Sequence, residues 1–296
     1  MRIGGDMTDN LVRAIQRTSA QQEQSFEQLS SGRRIQHAED DPAGFSLATH
    51  TATRISQNDE FVSSTGTVQA LMQTADSTLS SVVTSLTRAI SLGVEGANGS
   101  LSDAQRQALG AEVLGIRDTV LSLANSSFND TYIFGGTKST SQPFEVDSSG
   151  NVAYVGSSEV NRVPVGESLS AQAGETGAEL FADPTADVFA SLNALYQSFN
   201  ANDASAVATA TAQVRQAFDH ISTKRVFYGN TMQMLEQNST FLSSNKVELS
   251  KEWDSVVSAD PTQAASSMID AQQAHDRTIA AAAKVSSLSL LDYLNQ

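Results

Sequence analysis

Cysteine is absent from all 296 residues, so the chain has no disulfide framework, no thiolate nucleophile and no Cys-based metal site. That absence fits a protein that works outside the cell. Basic residues are also scarce: 18 Lys and Arg stand against 33 Asp and Glu, a formal net charge of −15. Such a surface repels phosphate backbones and anionic lipid, so neither nucleic acid nor membrane is expected as a partner. No run approaches the roughly 20 apolar residues that span a bilayer. Acidic residues stand in the first ten positions, where a signal peptide would be cationic and then apolar, so no cleaved signal is expected. Aromatics make up only 6% of the chain, which argues for thin helical seams closed by small side chains instead of one thick core.

Catalytic constellations are missing too. His37, His50, His220 and His275 are scattered and share no metal-ligand spacing. Gly135-Gly136-Thr137 lacks the Lys-Ser/Thr of a phosphate loop and reads as a turn. Asp40-Asp41 precedes Pro42, where carboxylates cap the free amides of a helix start, so the pair reads as helix-start residues and not as acid-base machinery. The Asn-x-Ser/Thr triplets at Asn98, Asn125, Asn129 and Asn238 are expected by chance in a chain rich in those residues. The chain is therefore read as a non-enzyme with no cofactor and no metal.

What is present is helix. The chain is longer than one ordinary core, and two or three packed units are expected. Leu11, Ile15, Phe26 and Leu29 form an apolar stripe interrupted by Thr18, Ser19 and Gln22, ending at the loop Ser30-Ser31-Gly32. Helix resumes at Pro42 and covers Phe45 to Phe61. From Val68, the positions Met72, Ala75, Leu79, Val82, Leu86 and Ala89 alternate in steps of four and three, a coiled-coil-like seam that fades at Gly93, Gly96 and Asn98-Gly99. Ser102-Asp-Ala-Gln105 is a capping box for a helix with Leu109, Val113, Ile116, Val120 and Leu123 on one stripe, expected to pack antiparallel to its predecessor.

Between Thr131 and Phe181 the helical period gives way to short β runs, Phe144–Val146, Val152–Val155 and Val160–Val165, with Asp147 to Asn151 as a hairpin loop. A short helix with Val188, Leu192, Leu195 and Phe199 follows. Then Ile221, Tyr228, Leu235, Leu242, Leu249 and Val256 recur every seventh residue, the seam of a helix of about 50 residues, roughly 75 Å at 1.5 Å per residue. Gly229 within it suggests a close helix approach or a bend. After Asp260-Pro261, a terminal helix carries Met268, Ala271, His275, Thr278, Ala282 and Val285, a seam too polar to fold without partners. Leu288, Leu290, Leu291, Tyr293 and Leu294 crowd apolar area into the tail.

Two motifs then become specific. Leu29-Ser-Ser-Gly-Arg33-Arg-Ile35 with Asp40-Asp41-Pro42-Ala43-Gly44 resembles the N-terminal signature of flagellins, and Ser289-Leu-Leu-Asp-Tyr-Leu294 is similar to the tail of that superfamily. Met1-Arg2-Ile3, Asn98 to Ser102, Tyr132 to Thr137 with Pro143-Phe144, and Tyr154-Val-Gly156 resemble its hook-filament junction branch. Gly4-Gly5-Asp6 and His37-Ala38-Glu39 depart from the usual pattern.

The resemblance implies a mainly α, flagellin-like fold with a small β insert and a long antiparallel coiled-coil-like rod. Residues 1–42 and 259–296 would form an inner assembly domain, 43–134 and 184–258 the rod, and 135–183 an outer β domain. The implied assembly surfaces are Leu11, Ile15, Phe26, Leu29, Arg33 and Ile35 at one end of the chain, and Met268, Val285, Leu288, Leu290, Leu291, Tyr293 and Leu294 at the other. Implied partners are further copies in a ring or tubular layer, other hook-associated proteins, flagellin, and an export chaperone with its export apparatus. The place implied is the extracellular flagellum.

Overall fold

A computed structural model of the chain describes residues 4–148 and 150–294, with side chains described over 9–148 and 150–285. Its elements in order are α1 (Gly4–Ser31), α2 (Pro42–Gly96), α3 (Asp103–Ala124), β1 (Ser127–Phe128), β2 (Thr131–Tyr132), β3 (Phe144–Val146), β4 (Val152–Tyr154), β5 (Arg162–Pro164), β6 (Ser170–Gln172), α4 (Gly177–Phe181), α5 (Val188–Asn200), α6 (Ala204–Val257) and α7 (Pro261–Leu294). Among the described residues the fold is mainly α with three small antiparallel strand pairs. The chain divides into two compact units, Asn58–Ser244 on the one hand and Met1–Gln57 with Asn245–Gln296 on the other. No helix among the described residues is long and apolar enough to cross a membrane.

In unit 58–244, the four-three stripe of α2 closes against α6. Met72, Leu79, Val82, Leu86 and Ala89 are fully buried, as are Ile221, Tyr228 and Leu235, with Leu242 buried below them. The two helices run antiparallel, as their side-chain contacts show. Asn58 donates to the Leu242 carbonyl at 2.9 Å, Asn238 reaches Thr65 at 3.2 Å, and Arg225 forms a two-pronged ion pair with Asp76 at 2.8 and 3.0 Å. The helix expected from Phe45 to Phe61 and the one expected from Val68 are a single element, α2. It runs through Gly93 and ends at Gly96, within the span where the fade was expected, and both glycines also serve packing. A Cβ at Gly93 would overlap Thr211, and one at Gly96 would overlap the Phe199 ring. Gly229 shows the reverse, since a Cβ there would meet nothing within 4 Å, so it marks no close approach.

α3 begins at the expected capping box, with Ser102 and Gln105 bonded reciprocally, and it returns along α2 through the Arg88–Glu112 ion pair. Its buried face differs from the expected stripe: Arg106, Gly110, Val113, Val120 and Ala124 are inside, while Leu109, Ile116 and Leu123 are half-buried. The reason is a second partner. α5 comes close to α3 at Gly110, where a Cβ would meet Phe199 at 3.0 Å, so the inner face centres on small residues and the leucines flank it.

The strands form three separate ribbons, β1 with β2, β3 with β4, and β5 with β6. The expected hairpin holds Phe144 opposite Tyr154, and Gly150 takes φ +81° in its loop. β1, β2, β6 and α4 were not read from the sequence, because elements of two to five residues leave no period to detect. A cluster of Phe134, Phe144, Phe181, Phe189 and Tyr154 ties the β3–β4 ribbon to α4 and α5, with ring centroids 5.1 to 6.0 Å apart. The Tyr228 hydroxyl accepts from the Glu175 amide at 3.3 Å, and burial pushes that phenol well above its ordinary pKa.

Candidate assembly surfaces

In the unit built from both chain ends, the two terminal helices pair. α1 approaches α7 closely, with small residues buried on both helices. Ser25, Ala264 and Ala271 are buried, and Thr18 meets Nδ1 of His275 at 3.2 Å. Each polar seam thus finds a partner in the other. Of the remaining histidines, His220 meets the Glu179 carbonyl at 2.8 Å, and His37 and His50 are exposed. Among the described residues no group of three or more His, Asp or Glu could hold a metal ion.

Between α1 and α2 the first motif folds into a strapped loop, and each of its residues has a reason to be there. Gly32 ends α1 at φ +69°, a conformation that costs a glycine least. The chain then pairs with the end of α6: Arg34 N–H donates to the Val257 carbonyl at 2.7 Å, and Ala259 N–H donates to Gly32 at 2.9 Å. Ile35, only 4% exposed, plugs the loop into the unit. Asp40 accepts the Gln36 and His37 amides on one oxygen at 2.9 Å and the Gln24 side chain on the other at 3.0 Å. The His37 and Gln36 amides hold its pKa below the usual carboxylate value. Asp41 is the true cap of α2. It accepts the Gly44 amide at 2.9 Å, and that bond lowers its pKa as well. The sequence reading made both carboxylates helix-start residues; the structure gives that role to Asp41 and gives Asp40 to the loop. Gly44 is fixed by space, since a Cβ would sit 2.5 Å from Ile35 and from the Asp41 carboxylate.

This loop walls two grooves of opposite character. One, of 540 Å³, is lined by Glu23, Glu27, Glu39 and Asp40 with neighbouring amides. The other, of 500 Å³, is lined by Ile35, Phe45, Ala48, Val257 and Trp253, with Arg33 across the indole at 5.1 Å.

The expected surface residues divide accordingly. Phe26 is 57% exposed, and Leu29 and Arg33 are exposed, whereas Leu11, Ile15, Met268 and Val285 are half-buried. Ile35 is not a surface residue at all, because it is consumed by the loop. The side chains of Leu288, Leu290, Leu291, Tyr293 and Leu294 lie outside the described residues. Val12, Ile269 and Ile279 are exposed and were missed. Each stands beside a seam position, and Val12 falls two heptads before Phe26 on the same face of α1, a spacing that could have found it. On the expected seven-residue seam, Ile221, Tyr228, Leu235, Leu242 and Leu249 are buried, but Val256 is only half-buried and Val257 takes the inner place. A straight helix drifts about 20° per heptad from a seven-residue repeat, and five heptads from Ile221 amount to about one residue.

Residues 6–139 match the family described as the bacterial flagellin N-terminal helical region. The chain is 32% identical to flagellar hook-associated protein 3 of Escherichia coli strain K12 over 180 residues, which is 60% of this chain and 56% of that one. It thus spans little more than half the length of that curated relative. The fold is similar to the crystal structure of Bacillus cereus FlgL, with a TM-score of 0.58 and 25% identity over 70% of this chain and 98% of the other. It is also similar to the flagellar junction protein FlgL of Legionella pneumophila, with a TM-score of 0.60 and 16% identity over 72% of this chain and all of the other. Residues 6–139 are thus similar to the flagellin N-terminal helical region, and 60% of the chain is similar to flagellar hook-associated protein 3.

Proposed function

We propose that this chain is a structural adaptor of the bacterial flagellum, joining the hook, through other hook-associated proteins, to the flagellin filament. The observation that carries this reading is that the likeness to flagellar hook-associated protein 3 reaches past the flagellin N-terminal region, over 60% of this chain against residues 6–139 for that region. The apolar residues left on the outside of α1 and α7 support it, because solvent-facing Val12, Phe26, Leu29, Ile269 and Ile279 in one unit suit a surface that is covered on assembly.

In this reading residues 1–42 and 259–296 form the inner assembly domain, 43–134 and 184–258 the helical rod, and 135–183 an outer β domain. Copies of the chain build a ring or tubular layer, with Phe26, Leu29, Arg33, Met268 and the tail from Leu288 to Leu294 in its contacts. The protein leaves the cell through the flagellar export apparatus, escorted by a chaperone, and has no catalytic role.

Electron microscopy of a strain lacking the protein tests the assignment. Complete hooks with filament subunits lost to the medium are expected. Normal filaments on those cells would overturn it, and a shortage of filament without loss of subunits to the medium would point to a short filament flagellin instead.

A further inference from the structure

We propose that Asn98-Gly99, in the turn between α2 and α3, is a self-modification site that converts to isoaspartate, with buried Arg106 steering the product. It is the one Asn-Gly pair in the sequence, and both residues are exposed. The Ser100 amide and hydroxyl donate to Asn98 Oδ1 at 3.1 and 2.9 Å. Two donors therefore already sit on the oxygen that gains negative charge when a nucleophile adds to Asn98 Cγ, which is where preorganised donors lower a barrier most. The nucleophile is the Gly99 backbone nitrogen. Its N–H meets no backbone carbonyl among the described residues, and beyond its two chain neighbours a Cβ on Gly99 would find nothing within 4 Å, so no distant part of the fold crowds the nucleophile.

The chemistry needs only water. The Gly99 nitrogen bonds to Asn98 Cγ and gives its proton to solvent, while the Cγ–Nδ2 bond breaks and the amide nitrogen takes a proton and leaves as ammonia. Water then adds to one of the two carbonyls of the resulting cyclic imide and breaks that carbonyl's bond to the Gly99 nitrogen. Addition at Cγ gives aspartate. Addition at the main-chain carbonyl gives isoaspartate, in which that carbonyl has become a free carboxylate.

Arg106 selects between the two. It is 6% exposed, and its guanidinium donates to the Gly96 carbonyl at 3.2 Å, to Asn202 Oδ1, and to the Asn98 main-chain carbonyl at 3.0 Å. All three are neutral oxygens, and Arg106 forms no ion pair among the described residues. A cationic donor on the main-chain carbonyl polarises it toward water. The carboxylate that forms there turns a hydrogen bond from a cation to a neutral oxygen into an ion pair, and a buried cation acquires a counter-ion. The modification adds one negative charge to the formal −15 and leaves the turn fastened.

The test is to hold the purified chain in mildly alkaline buffer for days and map each asparagine by mass spectrometry, with isoaspartyl methylation to separate the products. Asn98 is expected to convert ahead of Asn125, Asn129 and Asn238. Its isoaspartate-to-aspartate ratio should exceed that of a free peptide spanning residues 95–102 by about twofold or more. Gly99→Ala should slow conversion on the order of tenfold and Ser100→Ala severalfold. Arg106→Met, which removes both the charge and the donors, should bring the ratio down to the peptide value. If that variant does not fold, the ratio in urea-unfolded wild-type chain, expected at the peptide value, replaces it. Conversion at Asn98 no faster than at the other asparagines, or a native ratio equal to the peptide's, would overturn the proposal.

Discussion

The guanidinium of Arg33 lies over the indole of Trp253, 5.1 Å from the ring centroid, and so pins the loop between α1 and α2 to the end of α6. Trp253 is the chain's one tryptophan, which makes its emission a reporter of that loop. An exposed cation over an indole contributes about 0.5 to 1 kcal/mol. Arg33→Ala is expected to change the emission maximum and destabilise the unit by that amount, measured by fluorescence-monitored urea unfolding. An unaltered spectrum would mean the stacking does not persist in solution.

Acid should release the same loop. The Asp40 carboxyl is held below its ordinary pKa, first by the His37 amide and then by the Gln36 amide. A carboxylate depressed in the folded state stabilises above the unfolded-state value, near 3.9, and that stability is lost as pH falls through the lower folded value. Trp253 emission should therefore hold steady down to about pH 4 and change below it. In Asp40→Asn the loop should already be loosened at neutral pH, with a smaller acid transition. Equal acid transitions in the two proteins would remove Asp40 from the linkage.

The register of α6 is tested at adjacent residues. Leu242 is 4% exposed and Phe241 is 64% exposed. Leu242→Asp places an unpaired carboxylate against α2 and should cost about 3 to 5 kcal/mol, enough to unfold a marginal unit. Phe241→Asp should stay within about 0.5 kcal/mol of wild type. Thermal unfolding of the pair decides, and similar losses in both would place the seam on another face.

The glycines of the long helices divide by the space around them. Gly229→Ala should stabilise by up to about 1 kcal/mol, because the position is helical and open. Gly96→Ala should destabilise by about 1 to 3 kcal/mol, because its methyl must displace the buried Phe199 ring. Calorimetry of the two variants should give shifts of opposite sign.

Those glycines also show where the sequence was legible and where it was not. Periodicity placed Met72, Leu79, Ile221, Tyr228 and Leu235 correctly, because a seam between two long helices is a local pattern repeated many times. It could not tell a glycine that ends a helix from one that admits a neighbour, since Gly93 and Gly96 depend on Thr211 and Phe199, more than a hundred residues away. Arg106 was hidden for the same reason, its partners lying at the end of α2, in the turn after it and in the turn before α6. In the loop, the residue types of the motif were evident but their division of labour was not. Ile35 looked like a surface residue because nothing in the sequence reveals that Arg34 and Gly32 pair with Val257 and Ala259 above it.

The reading of this chain as a junction adaptor is tested most directly by where it sits. Isolated flagella labelled with a gold-conjugated antibody against the strand-bearing region, residues 127–172, should carry the label in one narrow band between hook and filament. Label spread along the filament, or confined to the cell surface away from flagella, would contradict the account.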